Sequence, residues 1–468
     1  MNTVAQKAES DSVRLLPRFV NLKGELFSST FTYGLTAVIK LASSLVLTRL
    51  LSPSAYGVVA ILFSVAFILE LISDVGTVAL LIRHPRGSQR RFIHTVWTIR
   101  LVRSVLNFCV LYAFAPVIAD AYETPILTDA LRLFSFTFLL SGLESMSFVL
   151  AQRDQRSRIL NYAELVTNAL MTLAVIGFAV IYGDHYAFVY GILFQRLLMT
   201  LASHFYYREI GVSFAFDREA LAEQFRFARV VLPSSILTIV LSQYDKVVLL
   251  KLFDLSLLGV YGVAAGMIAP VNGLISKNCR VVLYARCADY FRTDPDNAVV
   301  RYYEENKRLL AIGTLLPAVI AGLSQSVISL LYDSRYTQAG SILMVLGLVS
   351  VVASFEHPSE NLLVASGRTH AVLVANLVRL IAVPTSTLLG YYLFGFKGFL
   401  WGGLAAASIV LIYFYWEQRR SGLLNTRIEL ARLGLALLVF VLCLATSQLL
   451  MHLFPAGFLQ HALMHRSN

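Results

Sequence analysis

Apolar stretches of about 20 residues recur along this chain from Phe27 to His452, each closed by a short polar interval. A helix rises about 1.5 Å per residue, so ~20 apolar residues match the ~30 Å hydrocarbon core of a bilayer. The pattern predicts about thirteen spans, at 27–50, 55–82, 93–115, 130–151, 159–182, 186–207, 228–250, 257–279, 309–332, 337–364, 371–394, 398–417 and 433–452. Some are unambiguous: Leu309 to Tyr332 runs 24 residues without a charge, and Leu255 to Ser276 runs 22. Barrel strands alternate in polarity over about ten residues, and nothing here does. The expected fold is an all-α integral membrane bundle.

Cations fall on alternate sides of this series. The interval before the first span and every second one after it together hold 26 Lys and Arg, among them Arg83, Arg86, Arg90, Arg91, Arg153, Arg156, Arg419 and Arg432. The other intervals hold only Arg49, Lys251, Arg335 and Lys397. The positive-inside rule therefore places the N-terminus in the cytoplasm.

Composition adds exclusions. The 468 residues are 57% hydrophobic and 14% charged, with a mean hydropathy of +0.68, as in an integral membrane protein. The net charge of +11 sits at span ends rather than in one patch, which fits topology and anionic membrane lipids, not nucleic acid. Cys109, Cys279, Cys287 and Cys443 lack metal or redox spacing. The first 24 residues are mostly polar, so no cleavable signal is expected. The longest polar intervals, 209–227 and 286–308, are too short to bury a core of their own. No Walker motif, nucleophile elbow, HExxH or dinucleotide fingerprint occurs. Transport is the leading class, with no enzyme activity, metal or cofactor expected, and a membrane enzyme comes second.

The chain also repeats itself. LTRLLSPSAYGVVA (Leu47 to Ala60) is echoed by VVLLKLFDLSLLGVYGVAAG (Val247 to Gly266), and FVLAQRDQRSR (Phe148 to Arg158) by LLVASGRTHAV (Leu362 to Val372), at offsets of 205 and about 214. Six spans separate the paired elements, so the halves keep one orientation and form a parallel repeat. The expected organisation is a cytoplasmic segment (1–24), an N-lobe of six spans (25–208), a linker (209–227), a C-lobe of six spans (228–418) and a basic turn, extra helix and tail (419–468). Pro233, Pro270, Pro317 and Pro384 are hinge candidates, against the ordinary tolerance of membrane helices for proline.

A charge at bilayer depth costs about 2.5–3.5 kcal/mol on insertion scales, so each one faces protein or water. The first half holds Lys40, Glu70, Asp74, Arg100, Arg103, Arg132, Glu144, Glu164 and Arg196; the second holds Asp245, Lys246, Lys277, Glu356, Glu360 and Arg379. Arg100 and Arg103, three apart, share one helix face and offer the bidentate geometry that grips phosphate. The other reading is that both snorkel to headgroups. Arg196, Arg132 and Lys40 are further candidate substrate cations. Glu70, Asp74, Asp245 and Glu144 either carry a coupling H⁺ or Na⁺ or neutralise these cations as ion pairs.

TRLLSPSAYGVVA (Thr48 to Ala60), SDVGTVALLIRH (Ser73 to His84), the turn through Gly259, Tyr261 and Gly262, and LLVASGRTHAVLVAN (Leu362 to Asn376) carry a family resemblance. Over roughly residues 25–420 the chain resembles the oligosaccharide flippases, the polysaccharide transporter (Wzx-like) branch of the multidrug/oligosaccharidyl-lipid/polysaccharide exporter superfamily. The resemblance implies two six-helix lobes around a cationic cavity, 12 to 14 spans and alternating access. It implies an undecaprenyl-diphosphate-linked oligosaccharide as cargo, moved across the bacterial inner membrane for O-antigen, capsule or exopolysaccharide assembly, with a polymerase and chain-length regulator as partners. Asp74 and the Arg49–Tyr56 turn carry over with the motif; Arg100, Arg103 and Arg196 do not. A multidrug cation antiporter is the nearest rival and would favour an anionic aromatic cavity. A membrane glycan polymerase or ligase would be expected to carry a long outside loop.

Overall fold

The computed structural model describes residues 22–154, 156–206 and 212–453. Lys7, Arg14, Arg18, Arg208 and most of the expected N-terminal segment and C-terminal tail lie outside them, as does the side chain of Pro233. The described residues fold as helices joined by short turns. Packing divides the chain into two compact units, the first ending at Gly259 and the second beginning at Val260.

The first unit contains α1 (Leu22–Leu50), α2 (Pro53–Ile72), α3 (Thr77–Arg83), α4 (Arg90–Ala121), α5 (Leu127–Leu143), α6 (Ser147–Arg153), α7 (Ser157–Tyr182), α8 (Tyr186–Tyr206) and α9 (Arg218–Leu252). Local sequence sets the ends. Ser52 caps α2 by accepting the Ala55 amide at 3.3 Å, with Pro53 supplying its fixed φ to the first turn. Gly183 closes α7 in the left-handed conformation, φ 68°. α4 packs along α5, α7 along α8 and α1, and α9 on α2. The sequence puts the linker at 209–227; α9, which follows it, packs with α2 and belongs to the first unit.

The boundary falls in the first turns of α10 (Leu255–Asn278), and the second unit takes up the rest of that helix, a π-turn at Cys279–Leu283, α11 (Tyr284–Thr293), α12 (Ala298–Leu331), α13 (Ala339–Ala365), α14 (Thr369–Arg420) and α15 (Thr426–Leu453). α14 is two spans in one: its helical dihedrals fail at Phe394 and Gly395, the latter at φ 61°. There the chain reverses. Gly390 meets the carbonyl of Gly398, and Gly402 meets that of Ser386, so the two arms lie back to back with no room for a Cβ. α15 packs on α12 as closely as an ordinary bundle member. Its Ser447 bonds Ser326 at 2.7 Å. Pro270 and Pro317 lie inside α10 and α12, and Pro384 inside the first arm of α14.

Among the described residues, ten helices are long and apolar enough to cross a membrane, with the two arms of α14 counted together, or eleven if the bent pair α5 and α6 is one span. The chain is thus a multi-pass membrane protein, although this criterion does not reach thirteen spans. Two expected spans are broken. The 55–82 stretch stops at Ile72 and restarts at Thr77, because Gly76 takes a left-handed φ of 71°. The 130–151 stretch bends by 57° between α5 and α6, where Glu144 is extended.

Candidate functional site

Both breaks are held by α4. At the first, the Asp74 carboxylate accepts the Gly76 amide at 2.9 Å, shaping the turn, and accepts Arg103 Nη1 at 3.2 Å. Asn107, one turn further along α4, donates to Ser73 Oγ at 2.9 Å. At the second, Ser145 donates its amide to Ser203 Oγ at 2.9 Å, and Glu144 accepts Arg100 Nη2 at 2.5 Å. The Arg100 and Glu144 side chains are each only 15% exposed. Non-helical backbone at membrane depth is tolerated only when its freed polar groups find partners inside the protein, and these residues supply them. The face shared by Arg100 and Arg103 thus meets two carboxylates read independently from the sequence.

Beyond α4 lies a cavity of about 300 Å³ within the first unit. Phe63 and Phe67 of α2 and Phe134 and Phe138 of α5 wall it. Its charged lining is Glu70 from the last turn of α2, Arg196 from α8 and Lys246 from α9. Lys246 Nζ donates to Gln243 Oε1 at 3.1 Å. Among the described residues Arg196 has no carboxylate at ion-pair distance, so two cations face one anion here. Glu70 also lies within Coulombic reach of Arg103. Glu164 of α7 feels Glu144, Lys40 and Arg196 together. The candidate charges of the first half therefore form one connected field, from Lys40 through Glu164 and Arg196 to Glu144, Arg100, Arg103 and Asp74.

Not all candidates reach the cavity. Arg132 packs its guanidinium 5.3 Å from the Tyr112 ring centre, a cation–π contact along α4 and α5. Lys40 is exposed on α1 and does not line the cavity, nor does Asp245, which points about 100° away from Lys246 on the same helix.

The second unit has two polar centres of its own. Glu356 of α13, 8% exposed, accepts Arg379 Nη2 of α14 at 2.5 Å, and Arg379 Nη1 donates to Asn376 at 3.0 Å. Arg432 of α15 is 8% exposed although the sequence reads as a basic turn there. It donates to Glu429 at 2.8 Å, to Thr314 Oγ1 of α12 at 2.9 Å and to the carbonyl of Ser354 of α13 at 3.3 Å. The i, i+3 spacing of Glu429 and Arg432 on an otherwise apolar helix was the available signal for this pair.

Comparison with known proteins gives a consistent picture. Residues 46–312 match the family described as polysaccharide biosynthesis protein. The chain is 22% identical over 338 residues to the teichuronic acid biosynthesis protein TuaB of Bacillus subtilis (strain 168), covering 68% of this chain and 68% of that protein. It is 23% identical over 342 residues to the succinoglycan biosynthesis transport protein ExoT of Rhizobium meliloti (strain 1021), covering 70% of this chain and 65% of that one. In fold it is similar to the lipid II flippase MurJ in an inward closed conformation, with a TM-score of 0.70 at 14% identity over 93% of this chain and 99% of that one. It is also similar to an inward-facing multidrug resistance transporter of the MATE family, with a TM-score of 0.58 at 14% identity over 84% and 95% of the two chains.

Proposed function

We propose, since the chain belongs to the polysaccharide biosynthesis protein family, that it moves an undecaprenyl-diphosphate-linked oligosaccharide from the cytoplasmic to the periplasmic leaflet of the bacterial inner membrane by alternating access, with its N-terminus in the cytoplasm. The observation that carries this reading is the cavity of the first unit, whose lining sets Arg196 and Lys246 beside one carboxylate, Glu70, among phenyl walls. The bilayer core rejects a diphosphate because its charges lose their hydration. An unpaired guanidinium can replace part of that shell with two parallel N–H···O bonds, and the ammonium adds a point charge. Arg100 and Arg103 already satisfy carboxylates, so their part is to hold the two helix breaks that shape the cavity.

The carboxylates fit two duties in this scheme. Asp74 and Glu144 fix α4. Glu70 is the one facing the cargo space, and it is the candidate to exchange a coupling H⁺ or Na⁺ as the anion enters and leaves. The likeness to a multidrug transporter fold raises export of a cationic drug as a second reading, but a cavity with more cations than anions repels such a cargo.

The test is an Arg196→Ala, Lys246→Ala double variant in the native host. Surface polymer is expected to fall to the level of a deletion strain, with lipid-linked repeat units accumulating on the inner leaflet and membrane insertion unchanged. Normal polymer output would remove the cavity from the transport path.

A further inference from the structure

A cluster of rings lies at the far end of the first unit from the arginine-rich turns. α7 leaves Arg156 and Arg158 and rises about 39 Å over its 26 residues to the turn at Gly183. On either side of that turn four rings touch in sequence. Phe178 lies 5.7 Å from Tyr190, Tyr190 lies 5.4 Å from Tyr182, and Tyr186 lies 6.2 Å from Tyr190. Tyr182 is 52% exposed. One carboxylate, Asp184, adjoins the rings by accepting the Tyr186 amide at 2.9 Å, and a second, Asp129 from the first turn of α5, lies within Coulombic reach of Tyr186. His185 sits 4.4 Å from the Tyr186 ring and is 3% exposed, and its Nε2 has no hydrogen-bond partner among the described residues.

An aromatic belt at headgroup depth explains lone tyrosines well, since their rings are amphipathic. It does not call for carboxylates or for a buried imidazole nitrogen left without a partner, which costs about 1–3 kcal/mol. The chain supplies its own comparison. The equivalent hairpin of the second unit, around Gly395, pairs Tyr391 with Tyr392 at 5.7 Å and exposes Phe394, but has a lysine, Lys397, and no carboxylate within its turn. That is the belt pattern, and the first unit departs from it.

We infer that the Phe178–Tyr182–Tyr186–Tyr190 surface, with Asp129, Asp184 and His185, is a saccharide-binding platform that receives the sugar portion of the cargo. The inference rests on the flippase reading above. Pyranose rings present C–H faces that stack on phenyl and phenol rings, and hydroxyl edges that donate to carboxylates and to an imidazole nitrogen. Phosphate is repelled by the two aspartates. The platform therefore takes the glycan while the cavity around Arg196 takes the charged linkage.

The test uses the full-length protein in nanodiscs and the delipidated repeat-unit oligosaccharide, released from the host's lipid-linked repeat units by mild acid, which cleaves the glycosyl phosphate bond. Saturation-transfer NMR is expected to show transfer from aromatic protons to sugar protons in the wild type. Affinity is expected to fall about tenfold in Tyr182→Ala, Tyr190→Ala, because two of the four stacking rings are removed. The single variant Tyr182→Ala, at a half-exposed position, is expected to show a smaller decrease without a folding defect, and Arg196→Ala is expected to bind the free sugar normally. Unchanged affinity in the tyrosine variants, or no binding by the wild type, would overturn the platform. A wild type that flips the lipid-linked repeat yet ignores the free sugar would overturn the platform alone. One that binds the sugar, but whose deletion leaves polymer output and lipid-linked intermediates unchanged, would overturn the cargo reading alone.

Discussion

Glu144 and Glu356 stand 212 residues apart, within the offset that relates the two halves of the chain, and each meets an arginine at 2.5 Å. The partners are not equivalent: Arg100 comes from α4, the helix before the one that Glu144 ends, and Arg379 from α14, the helix after the one that holds Glu356. The carboxylate position is repeated while the cation has been recruited separately. A membrane interior explains why, because a carboxylate at depth must be paired, but any nearby helix can supply the charge.

These pairs are expected to be structural. Removing one member of a buried pair leaves an uncompensated charge, a cost of about 3–5 kcal/mol. Glu356→Ala and Arg100→Ala should each lower the melting temperature of the detergent-solubilised protein markedly. The swapped double variant Arg100→Glu, Glu144→Arg should recover much of that loss. Fluorescence-detected size-exclusion after heating measures this, and a swap no more stable than the single variants would count against direct pairing.

Arg432 and Glu429 give a sharper contrast. The pair holds α15 to α12 and α13 through Thr314 and the Ser354 carbonyl. Arg432→Met alone should destabilise strongly, whereas Arg432→Met with Glu429→Leu should approach wild-type stability, since replacing both charges by apolar groups of similar volume removes the desolvation cost. If the double variant were as unstable as the single one, the bonds to Thr314 and Ser354 would be what matters.

Gly398→Val is expected to abolish stable expression. A Cβ there would overlap the carbonyl of Gly390 across the α14 hairpin, and backbone cannot yield as a side chain can. Gly403→Val, at a glycine with open space around it, is the matched control and should express normally. Membrane-fraction immunoblots decide.

Much of this was legible in the sequence, for identifiable reasons. Span positions follow from hydropathy, and the reversal at Gly395 from a glycine between two apolar runs. The pairing of Arg100 and Arg103 with Glu144 and Asp74 was half legible: both partners were singled out, but ion pairing and cargo binding call for the same residue types. The breaks at Ser73–Gly76 and Glu144–Met146 were not legible. Three or four residues interrupt hydropathy too briefly, and their partners, Ser203 for the Ser145 amide and the two arginines for the Asp74 and Glu144 carboxylates, lie far along the chain. Arg432 was misplaced into a turn for the same reason, because its partners are Thr314 and Ser354 on other helices. Arg132 carries the same charge as Arg196, and only the fold shows that one meets Tyr112 and the other the cavity.

Glu70 supplies the most direct test of the cavity's electrostatics. With Arg196 and Lys246 opposite it, Glu70→Gln raises the net charge of the lining by one. Inorganic pyrophosphate, a soluble stand-in for the cargo linkage, should then bind the purified protein more tightly, by about five- to tenfold, roughly 1 kcal/mol of added attraction in a partly wet site. Raising ionic strength should shrink the difference, because screening acts on a cavity open to water. If Glu70 also exchanges the coupling ion, polymer output should fall in the same variant despite the tighter binding, since an anion held by an uncompensated cation pair is not released. Isothermal titration with the wild type and Glu70→Gln separates the effects. Weaker pyrophosphate binding in the variant would mean that Glu70 positions the cations rather than opposing them.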